Sequence, residues 1–149
     1  MPDVFYGSAC ALAGFAIDDL FTAAISLSGS QFRFVSAGSV AGEVTGATGA
    51  SNPTPLGVLQ NAPNAAGIAR VRIFGRTQLS GSPNACNLGY GRFISSGSLG
   101  SALASIDNAC VVLGRWISSS LVSTGGSVLG EAYVNCVGFG ASSVGAAAS

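Results

Sequence analysis

From residue 68 to 77 apolar and polar side chains alternate with period two. Ala69, Val71, Ile73 and Gly75 share one face, and Arg70, Arg72, Phe74 and Arg76 share the other. That spacing predicts a strand with a core side and a side carrying three cations around an aromatic ring. The same period runs through residues 31–36, with Phe32 and Phe34 on one side and Arg33 and Val35 on the other. Residues 56–60 read as a short strand ended by Asn61-Ala62-Pro63-Asn64, a turn whose asparagines can bond their own backbone and whose proline presets φ. Residues 92–94, 109–117 and 130–139 complete the strand set, with Gly125-Gly126 as the turn between the last two. Twenty-two glycines and five prolines divide the chain into segments too short for long helices.

Between these strands the pattern changes. Residues 38–55 are rich in Gly, Ser, Thr and Ala and close on Pro55, as in a loop or a pair of edge strands. Residues 81–91 read as a loop, and the small, polar stretch 95–107 contains a helical turn at 101–106. Residues 19–25 read as a short helical piece at the end of an extended arm interrupted by Gly7 and Gly14. The division that follows is an N-terminal arm (1–19), a β-rich domain (20–139) and a loose C-terminal tail (140–149) with too little apolar bulk to pack.

A chain of 149 residues suits one domain, burying roughly 68–70% of the surface its unfolded form exposes. Charged side chains are 8% of the total, against roughly 25% in ordinary globular domains. The surface therefore falls largely to small neutral residues that pack closely against a partner, and we expect much of it to be covered in the working state. The net charge of +0 provides no field to gather nucleic acid or an anionic membrane. All six basic residues are arginine: Arg33, Arg70, Arg72, Arg76, Arg92 and Arg115. Arginine pairs bidentately with carboxylates at interfaces, while a GC-rich genome would equally account for the missing lysine. The apolar stretch 9–17 ends at Asp18-Asp19, short of the ~20 residues a spanning helix needs. With no basic residue before Arg33, the start does not read as a secretory signal, and synthesis in the cytoplasm is expected.

Chemistry is sparse. There is no histidine, no G-x-S-x-G elbow and no complete phosphate loop, so triad hydrolysis in its usual form is excluded and no cofactor is expected. Asp18 and Asp19 are the only adjacent carboxylates. Neighbours in sequence point apart, so they read as a solvated stop or a helix start, not an acid–base pair. Cys10, Cys86, Cys110 and Cys136 show no C-x-x-C spacing, which argues against a metal site. Cys110 and Cys136 sit in strand-like runs and read as reduced core thiols, with a Cys86–Cys110 disulfide as the alternative. We expect no catalytic residues. The stripe Arg70, Arg72, Phe74 and Arg76 is the one functional-looking surface, suited to a carboxylate-lined partner or neighbouring subunit; an ordinary solvated strand face is the plainer reading.

One local pattern is more specific. Gly57-Val58-Leu59-Gln60-Asn61, Pro63, Ala66-Gly67, Ala69, Val71, Ile73 and Gly75 together resemble the core of the small capsid decoration (cement) proteins of tailed bacteriophages. Residues 27–35 look like the strand leading into that family's first loop, and Leu113-Gly114-Arg115-Trp116 with residues 125–137 looks like its closing hairpin. The resemblance covers roughly residues 20–137. It implies a mainly β fold, a small β-barrel or β-tulip-like sandwich domain with an extended N-terminal arm, often a homotrimer. It also implies a virion protein on the capsid exterior whose partner is the major capsid protein. On that reading residues 2–17 reach onto the shell, and Cys10 could cross-link neighbours. The competing reading is a carbohydrate-binding or adhesion module, with Tyr6, Tyr90, Trp116 and Tyr133 as its stacking platform.

Overall fold

The computed structural model describes residues 16–47, 55–82, 91, 93–104, 113–118, 122–124 and 127–137. Among these the chain is mainly β, with ten strands and no α-helix. In order they are β1 (Ile17–Ala23), β2 (Phe34–Ala37), β3 (Glu43–Gly46), β4 (Gly57–Leu59) and β5 (Ile68–Gly81). There follow β6 (Phe93–Ser96), a 3-10 turn at Ser98–Gly100, β7 (Ala102–Ala104), β8 (Gly114–Trp116), β9 (Val122–Thr124) and β10 (Ser127–Asn135).

The pairings form two circuits that share β5. One runs β1–β3–β2–β4–β5 and returns to β1, a closed five-stranded barrel. The other runs β5–β7–β6–β8–β10 and returns to β5, its β5–β7 link being the single pair Gly81↔Ala102. Fourteen residues long, β5 serves both: Ile68–Phe74 pair with β1, and Phe74–Gly81 with β10. Closure gives each strand of the two circuits a neighbour on both sides, while β9 pairs with β10 at the end of the sheet.

Each circuit has its own core. Ala23, Leu27, Val35, Val44, Leu59, Ala69 and Val71 fill the first. The second is larger, with Phe34, Val58, Leu79, Ile94, Leu113, Trp116, Ala132 and Val134 among its members. Consecutive residues thus feed different cores: Phe34 and Val35 on β2, Val58 and Leu59 on β4, all four fully buried. Strands β2 and β4 lie between the two cores, and of their residues only Ala37, at the end of β2, is exposed.

The segment 57–71 is where the cores meet, and its residues have matching duties. A Cβ at Gly57 would collide with the carbonyl oxygen of Arg72 and come within 2.7 Å of Val71 Cγ1, so only glycine lets β4 approach β5. Buried Gln60 donates from Nε2 to the Val58 carbonyl and to the Thr77 hydroxyl, each at 2.9 Å. Each such bond contributes about 0.5–1.5 kcal/mol. Asn61 bridges the turn, donating to the Ile68 carbonyl at 2.8 Å and accepting from the Arg70 amide at 2.9 Å. It bonds across to β5, not to its own adjacent backbone as the turn pattern predicts. Pro63 is buried and its carbonyl accepts from the Leu27 amide at 2.9 Å.

Three sequence expectations are corrected. The helical piece at 19–25 is instead strand β1 through Ala23: its outward and inward positions pair with β5 from Ile17↔Phe74 to Thr22↔Ile68, and this long-range ladder overrides local propensity. The helical turn at 101–106 is strand through Ala104, pairing with β6. Phe32 does not share a strand face with Phe34, because it has a positive φ of 61° and precedes the strand. Residues 1–15, 48–54, 83–90, 92, 105–112, 119–121, 125–126 and 138–149, and with them Cys10, Cys86, Cys110, Tyr6 and Tyr90, lie outside the described residues.

Candidate interaction surface

Strands β1, β5, β10, β8 and β6 are joined in succession, and their outward positions form one continuous face. Alternation places the predicted stripe here: Ala69, Val71, Thr77 and Leu79 are buried, while Arg70, Arg76 and Gln78 are exposed and Arg72 and Phe74 half-buried. The four stripe residues do share a face.

Their electrostatics differ from the expected open row of cations. Asp18 lies directly across from Arg72 and accepts from its Nε at 2.7 Å and from its Nη2 at 3.0 Å. Arg72 Nη1 also donates to the Arg76 carbonyl at 2.7 Å. Arg70 Nε stands 3.6 Å from the other Asp18 oxygen, with 55% of its side chain exposed against 20% for Arg72. Arg72 is therefore committed within the chain, whereas Arg70 remains largely in water. Arg76 is bound by Glu131, which sits diagonally across on β10. Asp18 is thus an ion-pair partner inside a strand, in place of the solvated stop or helix start expected of it. Asp19 accepts from the Leu20 amide at 2.8 Å, so the two carboxylates serve different groups.

Toward β6 the face continues as a row of directly opposed residues, Arg76, Tyr133, Arg115 and Phe93. Arg115 lies over the Phe93 ring, 4.7 Å from its centroid. Toward β1 the face carries Ile17, Leu20 and Ile68, all more than half exposed. Large apolar side chains and arginines gathered on one face are the composition of protein interfaces. Sequence reading finds the β5 part and misses Asp18, Glu131, Tyr133, Arg115 and Phe93. The alternation in Glu131–Val134 marks Glu131 and Tyr133 as outward positions, but nothing in it says which strand lies beside them.

Of the aromatic platform proposed for sugar binding, Trp116 is fully buried and Tyr133 is exposed. A ring at 0% exposure offers no face to a saccharide. Cys136 is a free, buried thiol, as its strand-like surroundings suggest, and burial pushes its pKa up to about 12. Among the described residues no group of His, Cys, Asp and Glu side chains could hold a metal ion, and no helix is long and apolar enough to cross a membrane.

No protein-family model matches the chain, and no curated protein sequence does. Its fold is similar to a solved structure, the N base of head fiber gp8.5 in bacteriophage phi29. That likeness has a TM-score of 0.55 and 14% sequence identity, and covers 81% of this chain and 95% of that one. At this identity the likeness speaks for the fold, a small β-rich domain.

Proposed function

We propose that this chain is a structural protein of a bacteriophage virion that docks on the outside of the expanded capsid and stabilises contacts between major capsid subunits. The observation that carries the reading is the fold likeness, which takes in 95% of a domain belonging to a phage head fiber. The pattern at residues 57–75 and the low charge content support it independently. In this reading the protein is not an enzyme and uses no cofactor; its partners are the major capsid protein and further copies of itself in a homotrimer. The outer face of β5, with Arg70, Arg72, Phe74 and Arg76, belongs to the interface with shell or subunit. Small neutral side chains allow close approach, and many identical weak contacts sum across a symmetric lattice.

The test is co-sedimentation with undecorated, expanded capsids from the same source. Binding that saturates at a fixed symmetric ratio to the major shell protein, with shells that withstand more heat, is the expected result. Absence of saturable binding would overturn the reading.

A further inference from the structure

Among the described residues on the outward face of β1, β5, β10, β8 and β6, ion pairs join three guanidiniums to two carboxylates, and a fourth guanidinium, Arg115, stands beside them. Arg70 and Arg72 share Asp18, and Arg76 holds Glu131. Arg115 is different. Among the described residues it meets no carboxylate, and its contact is the ring of Phe93. Stacking on that ring orients the guanidinium plane while leaving its fork of N–H donors available. Phe93, opposite Arg115 on β6, is 48% exposed, and Tyr133, opposite it on β10, is 40% exposed.

A pre-oriented guanidinium between two half-exposed aromatics has the make-up of an interface hot spot. Its natural complement is a carboxylate accepted bidentately, with apolar side chains beside it to cover the rings. A polyanion such as nucleic acid fits poorly, because a single unpaired guanidinium releases few counterions. Two copies meeting face to face through this strip would oppose Arg115 to Arg115.

We propose that the strip Phe93–Arg115–Tyr133 receives an aspartate or glutamate of the shell protein, flanked by apolar residues, and that Arg115 is the group that holds it. This rests on the virion reading above and names the contact through which the shell is bound.

The experiment compares wild type, Arg115→Ala, Arg115→Glu, Arg115→Lys and Tyr133→Ser in co-sedimentation titrations with undecorated expanded capsids. Trp116 emission verifies that each variant is folded. Arg115→Ala is expected to weaken apparent binding about tenfold or more, with Arg115→Glu abolishing saturation. Arg115→Lys is expected to recover only part of the loss, since an ammonium lacks the planar fork. Wild-type binding with unchanged affinity in Arg115→Ala and Arg115→Glu would overturn the strip and leave the virion reading standing. Wild type that fails to bind would overturn both. A change in the sedimentation coefficient of free Arg115→Glu would assign the strip to a second copy and overturn the shell assignment.

Discussion

Asp18 and Arg72, 54 positions apart in sequence, face each other across the β1–β5 ladder and join through both carboxylate oxygens. Side-chain exposure of 24% and 20% keeps the pair partly out of water. It fastens the start of β1 to the strand that both circuits share.

Replacing Asp18 by Asn should cost about 1 kcal/mol, the upper end for a partly exposed pair, because Arg72 keeps its bond to the Arg76 carbonyl. For a chain of this size that is a fall of about 2–4 °C in Tm. Thermal unfolding followed by circular dichroism checks it. The gap between variant and wild type should narrow in about 1 M salt, and equal melting at low salt would show the pair to be neutral.

Leu59 fills the first core and Trp116 the second, yet their strands are tied through β5. Leu59→Ala should therefore destabilise by about 2–5 kcal/mol. The loss should be read equally by Trp116 fluorescence and by far-ultraviolet circular dichroism in urea. Coincident shifts mean that the two circuits unfold as one unit. A Trp116 transition left in place would mean that the second core stands alone.

Trp116, the single tryptophan, is fully buried, and a Cβ at Gly130 would run into its ring. Its emission should be blue-shifted, shielded from iodide and indifferent to added oligosaccharides. Gly130→Ala should cost about 1–3 kcal/mol through overpacking. A red-shifted, quenchable spectrum in the native protein would contradict the packing described.

The Cys136 thiol has its pKa raised from an ordinary 9.0 to about 12 by burial, so the folded form keeps its proton where the unfolded form loses it. Stability from this group is full below about pH 9 and falls as pH rises from there toward about 12. Alkylation at pH 8 followed by peptide mapping should leave Cys136 unmodified in the native protein and modified in denaturant. Ready native labelling of Cys136 would sink the assignment.

Legibility in the sequence followed the range of the interaction. The alternation of residues 68–77 showed β5 and its two faces, since a strand's period is a property of the strand alone. The strand-like run around Cys136 likewise marked that thiol as interior. The candidate surface was half legible: Arg70, Arg72, Phe74 and Arg76 were found together, but the carboxylates that balance Arg72 and Arg76 were not. Asp18 and Glu131 lie 54 and 55 positions from the arginines they bind, and only strand register brings them there.

By itself the sequence determined a glycine-punctuated, charge-poor β-protein with one strongly two-faced strand. Periodicity and composition are local, and they suffice for class and for the inward side of each strand. The tertiary structure decided that residues 17–23 form a strand, that Phe34 and Val35 are both buried, and that Arg115 lies over the ring of Phe93. Each depends on what lies over a surface: a second core above β2 and β4, or a neighbouring strand set by register. A pattern along one strand reports its own faces and carries no record of what will cover them.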